Sequence, residues 1–194
     1  AVLANVAGVF IDGRYRVQVR SQIAKDFTPV HWPETQLADW LPTQIKTGVL
    51  AYDPWLHTVS EIEGLRRDLP QFTLKPTQNL IDLIWTDQPA APTEPFTAHA
   101  LEHAGELHTG KCARLAAELK QDIAVLTLPD SIAWLLNIRG TDIARNPVPQ
   151  AFAILHNSGR VDLFAGQGKA DGIRDHLGSD VTLHDISGFL DVLK

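Results

Sequence analysis

The stretch AFAILHNSGRVDLF at residues 151–164 decides the fold class of this 194-residue chain. Two apolar runs, 151–156 and 160–164, flank the triplet Asn157-Ser158-Gly159, and this arrangement is typical of a β-hairpin. Predicted helices and strands alternate on both sides of the hairpin. A hairpin within such an alternating order predicts an α/β fold with mixed β-sheets that are flanked by helices.

Other patterns along the chain predict the remaining elements. Thr58 and Glu61 have the spacing of a capping box, which predicts that a helix begins there, and Asp130 is expected to cap a short apolar helix. The predicted strands cover residues 2–11, 49–52, 72–74, 123–128 and 181–183, and the apolar run 123–128 (IAVLTL) is expected to be buried. The predicted helices cover residues 14–23, 58–69, 79–85, 106–120, 131–136, 170–177 and 186–193.

Three prolines, Pro89, Pro92 and Pro95, lie within residues 87–97. Proline fixes φ and lacks a backbone N–H, so this spacing excludes a helix or a central strand and favours an extended linker. We therefore place a boundary between two domains in this segment.

The composition excludes several classes of protein. The chain has 23 acidic and 17 basic residues, and its net charge of −6 argues against a nucleic-acid partner, which requires a basic surface. No apolar run approaches the ~20 residues of a membrane-spanning helix, so no membrane partner is expected. The single cysteine, Cys112, cannot form an internal disulfide, which favours a reducing, cytoplasmic location.

The chain contains no methionine and begins within an apolar run. We expect either a fragment of a longer protein or a sequence from which modified methionines have been omitted. In the second case, some of the spacings used above are short by one residue.

The segment after the prolines contains a short motif that resembles a zinc site. His99, Glu102 and His103 match the H-x-x-E-H pattern, which places two His side chains on one face of a helix. Such a site requires a third protein ligand, and no Glu follows Glu118. A linker that contains histidines is therefore the better interpretation, and no metal site is predicted in this chain.

Two further features do not predict a catalytic site. Gly166-x-Gly168-Lys169 lacks the rest of a phosphate-binding loop and is interpreted as a connection from a strand to a helix. Cys112 lies within a predicted helix, and the sequence places no His that could activate it as a nucleophile. We therefore assign no catalytic residue.

Five tryptophans are many for this length. Each has apolar neighbours, so we expect all five to lie in the core or in an interface. They are Trp32, Trp40, Trp55, Trp85 and Trp134.

Arg14 and Arg139 are the candidate binding residues. Each follows an apolar element and lies beside a Gly, where a guanidinium can clamp a carboxylate with two hydrogen bonds or hold an ion pair. The alternative interpretation is a structural salt bridge to a nearby carboxylate, such as Asp12 or Asp142.

The order of several segments is more informative than any single motif. Together they resemble the Xaa-Pro aminopeptidases (aminopeptidase P) in their long, three-domain form. The segments are 10–15 (FIDGRY), 52–55 (YDPW), 79–85 (NLIDLIW), 104–106 (AGE), 130–140 (DSIAWLLNIRG), 146–148 (NPV) and 151–156 (AFAILH).

The resemblance implies a domain organisation. Residues 1–93 would form the second half of a first creatinase-like N-terminal domain, and residues 94–194 would form a second one. The pita-bread catalytic domain would lie outside this chain, with two divalent metal ions, Mn or Zn, held there by Asp, His and Glu. This chain would then hold no cofactor of its own.

The resemblance also implies a function. The full protein would remove the N-terminal residue from peptides with Pro in the second position. This chain would wall the substrate cleft, contact its own C-terminal catalytic domain and support a homodimer, with Arg14 and Arg139 near the substrate. Three alternatives stay open: a stand-alone creatinase-like binding module, the N-terminal part of a creatinase or prolidase, and a small zinc hydrolase centred on His99 and His103.

Overall fold

A computed structural model describes residues 1–193 of the chain. The chain divides into two compact units, Ala1–Gln88 and Pro89–Lys194. No helix within residues 1–193 combines the length and the hydrophobicity that a bilayer span requires.

The first unit contains two small parallel sheets. Strand β1 (Ala7–Ile11) pairs with β2 (Phe27–His31), and β3 (Gly48–Tyr52) pairs with β4 (Phe72–Pro76). The helices of this unit are α1 (Val19–Gln22), α2 (Leu37–Gln44), α3 (Val59–Asp68) and α4 (Leu80–Ile84), and a 3-10 turn covers Gly13–Tyr15.

Trp40 lies at the centre of the core of the first unit, as predicted. The rings of Trp40 and Phe10 form a T-shaped contact with centroids 5.7 Å apart. The buried members of this core are Val30, Trp40, Leu41, Leu69 and Phe72. Gly8 approaches the indole so closely that a Cβ atom there would lie 2.9 Å from Trp40 Cζ2. The sequence therefore needs glycine at this position of β1.

The second unit is built on a four-stranded mixed sheet with the order β10-β9-β8-β6. In chain order the elements of this unit are β5 (Thr97–Ala98), α5 (Leu101–Ala104), α6 (His108–Ala116), β6 (Ile123–Leu126), α7 (Pro129–Leu136), β7 (Ile138–Arg139), β8 (Phe152–His156), β9 (Val161–Ala165), α8 (Arg174–Leu177), β10 (Val181–Asp185) and α9 (Phe189–Val192). One sheet face belongs to the main core with residues of α6 and α7, while Phe189 of α9 covers part of the other face.

The hairpin and the mixed α/β architecture are confirmed. Strands β8 and β9 pair antiparallel, β9 and β10 pair parallel, and Gly159 in the connecting turn has a positive φ of 86°. The capping box of α3 is also present, because Thr58 Oγ1 accepts from the Glu61 N–H and the Glu61 carboxylate accepts from the Thr58 N–H.

Three local predictions are wrong. Residues 14–23 are not one helix: a 3-10 turn, capped by the Asp12 carboxylate, covers Gly13–Tyr15, and the short α1 begins only at Val19. Asp130 lies in the first turn of α7, whose N-cap is Leu128 and whose first residue is Pro129. The strand predicted as buried over 123–128 is β6, an edge strand of which Ile123 and Val125 are exposed.

Candidate functional site

The C-terminal end of α7 places Arg139. Asn137 ends this helix with φ and ψ both 51°, a left-handed conformation that Asn tolerates better than most residues. The chain then enters β7, where Arg139 Nη1 donates to the carbonyls of Ile138 at 2.8 Å and Ala133 at 3.4 Å. A cation here interacts favourably with the partial negative charge of the helix end.

Lys111 reaches the same helix end from α6. Its side chain is buried, and Nζ donates to Asn137 Oδ1 at 2.7 Å and to the Trp134 carbonyl at 2.9 Å. The ammonium also lies 4.4 Å from the centre of the Trp134 ring, a distance that allows a cation–π contact. Burial lowers the pKa of Lys111, and the positive charge of Arg139 acts in the same direction.

His99 lies beside these two cations, and we call the three residues His99, Lys111 and Arg139 the α7-end cluster. The His99 N–H donates to the Asn137 carbonyl at 2.7 Å. Burial lowers the pKa of His99, and the charges of Arg139, His103 and Lys111 lower it further. Within residues 1–193 neither Arg139 nor Lys111 pairs with a carboxylate. The cluster is therefore suited to an anionic group.

Asp142 is not the partner of Arg139, so that alternative is wrong. Both Asp142 carboxylate oxygens lie 2.6 Å from Lys169 Nζ, and Oδ2 also accepts from the Gln150 N–H. Lys169 donates in addition to the carbonyl of Pro92 at 3.2 Å. The loop from Gly166 to Lys169 connects β9 to a 3-10 turn. Because the Lys169 ammonium forms a buried ion pair with Asp142, it is not available to bind a phosphate.

Arg14 lies in the first unit and is exposed. Its Nε lies 2.8 Å from Asp12 Oδ1, and its backbone N–H donates to the same oxygen at 2.9 Å. The hydrogen bonds from Arg14 hold the pKa of Asp12 below its usual value. The predicted alternative, a local ion pair with Asp12, is present.

The H-x-x-E-H motif does not form the helical face that its spacing predicts. Helix α5 contains only Leu101–Ala104, so His99 precedes it, and the His99 and His103 rings lie 5.8 Å apart. Within residues 1–193 no three His, Cys, Asp or Glu side chains gather in a way that can hold a metal ion.

Cys112 is buried, and burial raises its pKa to about 11. At neutral pH the side chain is therefore a thiol rather than the thiolate that acts as a nucleophile.

A cluster that the sequence analysis missed lies on the sheet face that α9 partly covers. Asp162 of β9 accepts from His156 at 2.7 Å and from His184 at 2.8 Å, one imidazole on each neighbouring strand. Partial burial acts to raise the pKa of Asp162, but the hydrogen bonds from His184 and His156 outweigh it and lower the pKa. The alternation of side chains along each strand could have predicted which residues share one sheet face. The pairing register of β8, β9 and β10 is also needed to bring His156, Asp162 and His184 together, and the sequence does not give it.

Beside the α7-end cluster lies an apolar cavity of about 610 Å³ between α6, α7 and β6. Trp134 lines it and so joins the cavity to Lys111, while the carboxylates of Glu118 and Asp130 also line it. Four of the five tryptophans are exposed within residues 1–193 and do not lie in the core: Trp32, Trp55, Trp85 and Trp134. The other location predicted for them, an interface, stays a prediction.

Comparisons with known proteins confirm the resemblance drawn from the sequence. The family model of the Creatinase/Prolidase N-terminal domain matches residues 87–194. The probable Xaa-Pro aminopeptidase P of Coccidioides posadasii (strain RMSCC 757 / Silveira) is 33% identical over 207 aligned positions, which cover 100% of this chain and 33% of that protein. Aminopeptidase P1 of Arabidopsis thaliana is 35% identical over 160 positions, which cover 77% of this chain and 24% of that protein.

A solved structure shows the same fold. The X-prolyl aminopeptidase of Caenorhabditis elegans, described as a cytosolic enzyme with a di-nuclear active site, superposes with a TM-score of 0.91 at 29% identity. The match covers 99% of this chain and 33% of that one. The chain thus spans about a third of the length of the curated relatives it matches, and the matched part is their N-terminal third.

Proposed function

Because the chain belongs to the creatinase/prolidase N-terminal domain family, we propose that it is the non-catalytic N-terminal part of a metal-dependent Xaa-Pro aminopeptidase. The observation that carries this proposal is the likeness to the X-prolyl aminopeptidase of Caenorhabditis elegans along 99% of the chain. The complete protein removes the N-terminal residue from peptides whose second residue is Pro. Two divalent metal ions, Mn or Zn, belong to the part outside this chain.

The proposed role of this part is to wall the substrate cleft. Proline in the second position of a peptide lacks a backbone N–H and has a fixed φ, so its selection requires a shaped pocket that closes around the peptide. A rigid domain beside a metal-bearing domain supplies such a wall. This part is also proposed to support a homodimer. The proposed location is the cytoplasm, because the Caenorhabditis elegans relative is described as cytosolic.

Arg139 is the residue that we propose for substrate contact in the second unit. It has no carboxylate partner within residues 1–193, its neighbour Lys111 adds positive charge, and backbone carbonyls hold it in place. A guanidinium in this setting is suited to the carboxylate of a short peptide. Arg14 of the first unit is the second candidate, although its ion pair with Asp12 neutralises part of its charge.

Steady-state kinetics on the complete protein test this role. Arg139→Leu is expected to raise KM for a short Xaa-Pro peptide by roughly 10- to 100-fold, while kcat changes little. This factor corresponds to the binding free energy of one charge-assisted hydrogen bond. The matched control is Arg174→Leu, which removes an exposed Arg that pairs with Asp171 and should leave KM unchanged. An unchanged KM in Arg139→Leu contradicts the role in substrate contact.

A further inference from the structure

Lys111 of α6 is buried, and no carboxylate within residues 1–193 pairs with its charge. The residue is 2% exposed, and its ammonium donates only to Asn137 Oδ1 at 2.7 Å and to the Trp134 carbonyl at 2.9 Å. Lys169, which is also buried, is by contrast paired with Asp142. Burial of an unpaired charge costs free energy, so packing alone does not explain a lysine at position 111. The contacts of its ammonium indicate what it does.

Asn137 is the residue on which the ammonium acts. Its φ and ψ are both 51°, a left-handed conformation that is strained for most residues other than glycine. Three hydrogen bonds hold Asn137 in this conformation. Its Oδ1 accepts from Lys111, its Nδ2 donates to the Glu106 carbonyl at 2.8 Å, and its carbonyl accepts from the His99 N–H at 2.7 Å. Only the bond from Lys111 has a charged donor, and such bonds are the stronger ones.

The conformation of Asn137 determines where Arg139 lies. A left-handed residue at this point ends α7 and turns the chain into β7. The turn brings Arg139 Nη1 within 3.4 Å of the Ala133 carbonyl, in the same helical turn whose Trp134 carbonyl accepts from Lys111. If Asn137 adopts another conformation, the chain leaves the helix in another direction and the guanidinium moves with it.

We infer that Lys111 is a positioning residue that acts on substrate binding through Arg139. The inference rests on the proposed contact between Arg139 and the carboxylate of a short peptide. Lys111 itself is too deeply buried to contact a ligand, and its ammonium faces Asn137 and both the carbonyl and the ring of Trp134. Loss of the ammonium should therefore weaken substrate binding although it removes no contact with the substrate.

Steady-state kinetics on the complete protein test this inference. Lys111→Met keeps most of the side-chain volume and removes the ammonium. It should raise KM for a short Xaa-Pro peptide by about 10-fold while kcat changes little, because displacing the guanidinium costs no more than removing it. The matched control is Cys112→Ala, which shortens a buried side chain at the next position of α6. This control leaves the bonds of Lys111 in place and should not change KM.

A double variant distinguishes positioning from simple attraction between charges. If Lys111 only adds positive charge near the substrate, its effect on KM persists without Arg139, and the two single effects multiply. If it positions Arg139, Lys111→Met/Arg139→Leu should have nearly the KM of Arg139→Leu. Asn137→Ala breaks the same hydrogen bond at its other end and should show the same pattern, so it replaces Lys111→Met if that variant does not fold. Effects that multiply, or a KM no higher than that of the Cys112→Ala control, overturn the inference.

A crystal structure of the complete Lys111→Met protein separates this inference from the proposed function. We expect Asn137 to leave the left-handed conformation and Arg139 Nη1 to move beyond hydrogen-bonding distance of the Ala133 carbonyl. Displacement of Arg139, together with an unchanged KM in Arg139→Leu, refutes the substrate contact and leaves the positioning in place. A raised KM in Arg139→Leu, together with an unchanged end of α7 in Lys111→Met, refutes the positioning alone.

Discussion

Lys169→Met should strongly destabilise the second unit. The side chains of Lys169 and Asp142 are 3% and 0% exposed, and both carboxylate oxygens lie 2.6 Å from the ammonium. Methionine keeps most of the volume but removes the charge, so the buried carboxylate retains only the Gln150 N–H as a donor. The Pro92 carbonyl loses its donor as well.

The expected cost is about 3–5 kcal/mol, the usual penalty for removing one partner of a buried ion pair. For a unit of this size the total free energy of unfolding is about 5–15 kcal/mol, so the variant loses a large share of it. Urea unfolding followed by circular dichroism measures the loss. The control Arg174→Met breaks the exposed pair with Asp171 and should cost less than about 1 kcal/mol.

The double variant Lys169→Met/Asp142→Leu distinguishes a buried charge from lost packing. Replacing both partners by apolar residues removes the unpaired carboxylate, so most of the lost stability should return. The reasoning is refuted if Lys169→Met costs no more than the Arg174→Met control, or if the double variant is less stable than Lys169→Met.

Three further predictions concern other parts of the chain. The pKa of folded Asp162 lies below the unfolded value of 3.8, so its contribution to stability is present above that pH and is lost as the pH falls through the folded pKa. Asp162→Asn should therefore reduce the loss of stability at acidic pH when the free energy of unfolding is measured against pH, and an unchanged loss would contradict this. Gly8→Ala places a Cβ 2.9 Å from Trp40 Cζ2 and should lower the free energy of unfolding, measured in urea, by about 1–3 kcal/mol. The control is Gly172→Ala, because a Cβ at that position meets no atom within 4 Å. Cys112 is buried with a pKa of about 11, so iodoacetamide at pH 7.5 should alkylate it only after urea unfolding, and rapid alkylation of the folded chain would refute that.

Local signals in the sequence were sufficient for the hairpin and for α3. The β8–β9 turn is encoded by Gly159 between two apolar runs, and α3 begins at the capping box of Thr58 and Glu61. In both cases the residues that determine the structure are neighbours in sequence. Such features are predictable because no distant contact is needed to form them.

Two elements of the first unit were not predicted because each contains a proline. Strand β2 contains Pro29, and α2 contains Pro42. Proline is tolerated in a strand that pairs with a neighbour on one side alone, because an N–H missing from the other side removes no hydrogen bond between strands. Both elements exist because Val30, Trp40 and Leu41 complete the core around Phe72, a contribution that propensity alone does not reveal.

The candidate site was predictable only in part. The sequence placed Arg139 after an apolar helix and beside a Gly, but it suggested Asp142 as a partner. The structure pairs Asp142 with Lys169, which is 27 residues away. Lys111, the third member of the α7-end cluster, gave no signal, because its role depends on how α6 packs against α7.

The most direct test of the central claim compares peptidase activity in two preparations, the 194-residue chain and the complete polypeptide that contains it. Both are incubated with Mn²⁺ or Zn²⁺ and with peptides that carry Pro or Ala in the second position. We expect the complete polypeptide to cleave only the Pro peptides and the 194-residue chain to cleave neither. Cleavage of the Pro peptides by the pure 194-residue chain, or none by the complete polypeptide, would contradict the account.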